Sequence, residues 1–180
     1  MDMSVASLSH AIQSSDFFTA VRQSELFYPA VLATHLTCIA IFGGMILMTD
    51  LRLLNLAFRH TPASVVIESM RVWKRIGFVI MIGCGVLLAG SHLDKYYPNP
   101  YFQLKLSLLV VTGIHGLIFH RSVYYNAGLD RDGRLPVLAA VAGGTSLVLW
   151  LSIMTCGRWI AYYDDPHAIA RLVRGLLRLV

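Results

Sequence analysis

Apolar residues gather in four long stretches, each free of Asp and Glu: about Phe27 to Thr49, Ile76 to His92, Phe102 to His120 and Pro136 to Ala161. A helix needs about 20 apolar residues to cross a hydrocarbon core of ~30 Å, so each stretch predicts a membrane span. Glycines recur inside them, at Gly43-Gly44, Gly83, Gly85, Gly113, Gly116 and Gly143-Gly144. In lipid, small residues let helix backbones approach closely, so these positions predict packing faces. The two ends of the chain have a different pattern. Residues Ser4 to Gln23 are mixed and moderately amphipathic. From His167 to Val180, Arg171, Arg174 and Arg178 recur at three and four residues among Leu172, Val173, Leu176 and Leu177. Each end predicts an interfacial helix. The expected fold is an all-α membrane protein, a four-transmembrane-helix bundle with an amphipathic interfacial helix at both termini, forming a single membrane domain over 1–180.

Composition agrees with a lipid environment. Hydrophobic residues make up 56% of the 180 residues and charged residues only 14%, against about 25% charged in soluble domains. Mean hydropathy is +0.62. The formal charge of +5 sits mostly between the apolar runs, where Lys and Arg set orientation and meet lipid headgroups. No basic stretch is interleaved with aromatics on a soluble face, so nucleic-acid binding is not expected. Cys38, Cys84 and Cys156 are widely spaced within apolar runs, without a CxxC, and read as small buried hydrophobes. Asp2, Asp16, Arg22 and Glu25 leave no uninterrupted apolar core for a cleavable signal peptide near the start. Aromatic belts flank the spans. Phe27, Tyr28, Tyr96, Tyr97, Tyr101, Trp159, Tyr162 and Tyr163 share one interface, and Trp73, Tyr124 and Tyr125 the other. The links before the second and fourth spans are basic, with Arg52, Arg59, Arg71, Lys74 and Arg75 in one and Arg121, Arg131 and Arg134 in the other; the middle link holds only Lys95. The positive-inside rule then puts both basic links in the cytoplasm and both termini outside a bacterial inner membrane, although Arg158, Arg171, Arg174 and Arg178 run against it.

Titratable groups at membrane depth are costly and mark function by default. The candidates are His35, His92, Lys105, His115 and His120. His35 lies in the outer half of the first span, Lys105 starts the third and His92 ends the second, so these three converge on the outer half. A b-type haem needs one or two axial nitrogens from bundle helices, an apolar slot, and cationic or interfacial groups for its propionates. His35 suits the axial role, and His92 or Lys105 the second ligand or the propionate contact. His115 and His120 are five residues apart, ~140° around the helix, so at most one shares a cavity with Lys105. His120 can also snorkel to the headgroups, and His115 can bond a neighbouring helix. On the residues alone, haem binding, structural hydrogen bonding, and proton or metal handling all stand. Cys38, Met45, Met48 and Met81 are soft donors but form no tight cluster for copper. No GxGxxG, P-loop, GxSxG or HExxH occurs.

Several stretches resemble a family of small bacterial inner-membrane proteins of unknown function. They are Leu26 to Pro29, His35, Gly43-Gly44 leading into Asp50 to Leu54, Gly77-Phe78, Asn99 to Phe102 ahead of Lys105, and Phe119 to Arg121. The resemblance runs to about Arg134 and thins in the last span. A first-span His before Gly-Gly, an aromatic-x-x-Lys-Leu opening of the third span and a His near its end also resemble two wider groups. These are the membrane domain of copper-resistance D proteins and the haem-binding four-helix protoporphyrinogen oxidases. That likeness implies a haem b bundle with His35 and Lys105 as its important residues; His115 departs from it, standing where an amide is expected. The expected function is a b-type haem electron-transfer or redox subunit, with His35 as axial ligand and His35 and His92 as the metal-binding pair. The alternatives are a porphyrin-oxidising membrane enzyme and a non-catalytic anchor or assembly subunit, either within a larger membrane complex or in a homo-oligomer.

Overall fold

The computed structural model describes residues 5–126 and 135–163. Among them lie α1 (Val5–Gln13), α2 (Asp16–Gln23), α3 (Phe27–Leu53), α4 (Ala63–Ser91), the single turn α5 (Leu93–Tyr96), α6 (Pro100–Ile118), a π-helical turn over His120–Tyr124, and α7 (Val137–Ile160), with no strand. α3, α4, α6 and α7 are long and apolar enough to cross a membrane, and they are the four expected spans. Successive spans run antiparallel. The start of α3 therefore meets the end of α4, here called the terminal face, and the opposite ends form the loop face.

Two spans are longer than the hydropathy pattern suggests. α3 continues through Leu53, and α4 begins thirteen residues before Ile76. Glu68, Arg71, Lys74 and Arg75 interrupt the apolar run, but no Gly or Pro interrupts the helix between Ala63 and Ile76. One side of this extension is buried, through Ala63, Val66 and Ile67. The amphipathic stretch before the first span forms two helices rather than one. The hydroxyls of Ser14 and Ser15 bond back to the carbonyls of Ala11 and Ile12, which offers the backbone an alternative to continuing the helix. α2 docks on the bundle where Gly90 leaves room for the ring of Phe18. The expected tail helix, 167–180, lies outside the described residues.

The bundle is a chain of neighbours: α4 packs on α3, α3 on α7 and α7 on α6, while α4 and α6 make almost no contact. Glycines set the close approaches between α3 and α7. A Cβ on Gly43 would stand 2.7 Å from Nε1 of Trp150, and one on Gly143 would stand 2.8 Å from Cβ of Leu53. A cluster of buried apolar residues, Leu53, Ala63, Ile67, Val123, Ala139 and Ala142, sits at the loop face. Large apolar side chains such as Val79, Val110 and Leu117 cover the outside, as a lipid-facing surface requires.

Candidate functional site

Polar side chains enter the bundle near each face. At the terminal face, His35 of α3 is half-buried and its Nδ1 lies 3.0 Å from the carbonyl oxygen of Met81 on α4. A carbonyl only accepts, so Nδ1 carries the hydrogen and Nε2 keeps its lone pair. Gly85 makes room for the ring, since a Cβ there would stand 3.3 Å from Cε1. Lys105 of α6 reaches toward α7, where a Cβ on Gly157 would stand 3.6 Å from Nζ, and it is near enough to His35 for the two to interact electrostatically. His92 caps α4 closer to the membrane boundary. Its ring meets Tyr28 edge-on at 5.3 Å and its buried Nδ1 has no hydrogen-bond partner among the described residues. Tyr28 is seven residues from His35, ~10 Å along the helix. His35 and Lys105 therefore share a depth, with His92 about two turns nearer the surface.

The other two candidate histidines are not part of this group. His115 is ten residues from Lys105 on α6, ~15 Å along the axis. It is buried, and its Nε2 lies 3.1 Å from the carbonyl oxygen of Ala142. His120 opens the π-helical turn, is exposed, and stacks on Tyr125 at 4.1 Å. Both lie farther toward the loop face than Lys105.

The loop-face group holds charges that the apolar pattern hid. Asp50 is 2% exposed, and its Oδ2 has no hydrogen-bond partner among the described residues. Ser146 of α7 is within hydrogen-bonding range of both Asp50 and Tyr124. Lys74 donates to Thr49 Oγ1 at 3.1 Å, and Thr49 donates to the Met45 carbonyl at 2.9 Å. Burial, with the Asp50 carboxylate second, pushes the Tyr124 phenol well above its ordinary pKa; the bond to Ser146 offsets part of this. These groups line a cavity of about 310 Å³, with Phe42, Phe78, Thr112, His115 and Gly116 among its other walls. Asp50 escaped the hydropathy pattern because the first apolar run stops at Thr49, while the helix does not. The run Asp50 to Leu54, two charges among three leucines, was the available signal.

A b-type haem takes one or two ligands from the protein, and the residues at the terminal face fit that half of the requirement. An imidazole whose Nδ1–H is held by a carbonyl is the arrangement in which metal-ligating histidines are oriented. Lys105 at the same depth and His92 toward the surface add a second nitrogen and a boundary group.

Four spanning helices enclosing buried charges define a multi-pass α-helical membrane protein. Residues 17–163 match a family of unknown function, DUF6644, and the chain belongs to that family. The match continues past Arg134, where the resemblance was expected to thin, so the last span shares the family pattern. No curated protein and no solved structure matches the chain.

Proposed function

We propose that this protein is an integral membrane b-type haem protein serving as an electron-transfer subunit, with His35 as axial ligand. The observation that carries the proposal is the bond from His35 Nδ1–H to the Met81 carbonyl, which presents Nε2 as a fixed donor inside the bundle. A bound haem would supply one-electron exchange at its iron. The chain's own residues do the rest. Met81 and Gly85 hold the imidazole plane, Lys105 stands as second nitrogen or propionate partner, and His92 with Tyr28 forms a polar boundary for the propionates. The likeness to copper-resistance D membrane domains and to the haem-binding protoporphyrinogen oxidases supports the same pair, His35 and Lys105. We place the protein in a bacterial inner membrane with the loop face in the cytoplasm; Arg52, Arg59, Arg71, Lys74, Arg75 and Arg121 on that face support this orientation.

The test is an absorption spectrum of the purified protein. A Soret band, with an α band that sharpens on dithionite, is the expected result, and His35→Ala should remove both while the protein stays in the membrane. A colour unchanged by His35→Ala would sink the ligand assignment. A second reading has its own observation. His35 and His115 each bond a backbone carbonyl of a neighbouring helix, which is how intramembrane polar groups join helices. A colourless, well-folded preparation would favour that reading, a non-catalytic anchor.

A further inference from the structure

The cavity runs along α3 from Phe42 to Asp50 at the loop face, seven to fifteen residues from His35 and ~10–22 Å along the axis, and the haem reading makes no use of it. Its size is at the small end of ligand pockets, which run about 300–1,000 Å³. That suits a single ring rather than a macrocycle. Its walls come from α3, α4, α6, α7 and the π-helical turn, and α4 and α6 leave a seam between them. Space beyond Gly116 is open, since a Cβ there would meet nothing within 4 Å.

The polar end of the cavity pairs a donor with an acceptor. Lys74 has three N–H groups and spends one on Thr49. Asp50 keeps an oxygen without a partner among the described residues, although only 2% of the residue is exposed. An unmatched buried acceptor is expensive, so a ligand that donates to it would be favoured. Phe42 and Phe78, whose rings stand 6.1 Å apart and tilted, supply flat apolar surface. A ligand matched to all of this is flat and lipid-soluble, and it carries an oxygen that serves as acceptor when oxidised and as donor when reduced. A carbonyl would accept from Lys74, and the corresponding phenolic hydroxyl would donate to Asp50.

We propose that this cavity binds the ring head of a membrane quinone or quinol, with the tail leaving for lipid through the seam between α4 and α6. The site stands independently of the haem, because binding requires only Lys74, Asp50 and the aromatic walls.

The experiment is photo-crosslinking of the full chain in nanodiscs with an azido-ubiquinone bearing a decyl tail, at fixed quinone-to-lipid ratio, with the label located by mass spectrometry. Label is expected on the segments around Phe42 to Asp50, Lys74 to Phe78 and Thr112 to Gly116, and excess unlabelled decylubiquinone should displace it. Hydrogen bonds to charged groups are worth enough that Lys74→Met and Asp50→Asn should each cut labelling about tenfold. Gly116→Leu, whose Cβ meets nothing within 4 Å and whose branched end would fill the cavity, should do the same. Gly83→Leu, also in open space but away from the cavity, should leave it unchanged. The proposal is overturned by label scattered over lipid-facing residues, by labelling that survives both Lys74→Met and Gly116→Leu, or by equal displacement with a decyl alcohol that lacks the ring. None of these readouts depends on pigment, so a colourless protein that passes would retire the haem reading and keep this one.

Discussion

At the scale of single residues, the glycines of this bundle divide by what surrounds them. Gly143 faces the Cβ of Leu53 and the backbone oxygen of Asp50, at 2.8 and 3.0 Å from where a Cβ would stand. Backbone cannot swing aside as a flexible side chain can, so Gly143→Ala should force α3 and α7 apart and cost about 1–3 kcal/mol. Gly116→Ala meets open space and should be neutral or stabilising by up to ~1 kcal/mol through helix propensity. Thermal unfolding in a mild detergent checks the contrast, and equal melting temperatures for the two variants would contradict it. The same distinction limits what sequence reading can find. Gly43, Gly143 and Gly116 look alike in a string of letters, and only the facing helix separates a packing glycine from a cavity-lining one.

At the scale of elements, the link between α5 and α6 is the clearest case of local chemistry shaping the fold. Asn99 is 1% exposed and precedes Pro100. Its side-chain oxygen accepts from the backbone N–H of Tyr101 at 3.0 Å and of Phe102 at 3.4 Å, and its amide donates to the Ile160 carbonyl at 3.3 Å. One residue therefore caps the start of α6 and ties it to the end of α7. Asn99→Ala should destabilise the protein by about 1–2 kcal/mol, and Asn99→Asp should recover the cap but not the tie. Unfolding of the two variants side by side tests this; equal loss in both would mean that the cap contributes little. Hydropathy made the four spans legible because each apolar run falls within or above the ~17–25 residues that a membrane-crossing helix needs. It understated α3 and α4 because charged residues lower the window average without breaking a helix. That Asp50 and Lys74, 24 positions apart, line one cavity was out of reach for the same reason, since each was counted as a flank of an apolar run. His35 and Lys105 stood out because a titratable group inside an apolar stretch is rare. That His115 lies at another depth follows only from the helix register.

At the scale of the whole molecule, charge is distributed unevenly between the two faces, and that makes orientation measurable. In a background without native cysteines, Arg59→Cys on the loop between α3 and α4 and Tyr97→Cys beside α5 report opposite faces; both positions are exposed. With the loop face in the cytoplasm, an impermeant maleimide should label position 97 in intact cells and position 59 only after the membrane is broken. The reverse pattern would invert the topology and leave the fold as described.

The order of neighbours, α4 on α3, α3 on α7 and α7 on α6, gives the bundle the build of an open book, with α3 and α7 as its spine. The outer two helices are covers that meet lipid where a closed bundle would have a fourth seam of side chains. Spreading them exchanges lipid for lipid and breaks little protein packing, so shape changes here should cost least along that edge. A tug on one cover reaches the other by way of the spine, through the contacts at Gly43 and Gly143, and at the loop face through Arg71 and Arg75, which bond the Tyr124 carbonyl and the Tyr125 hydroxyl just past α6.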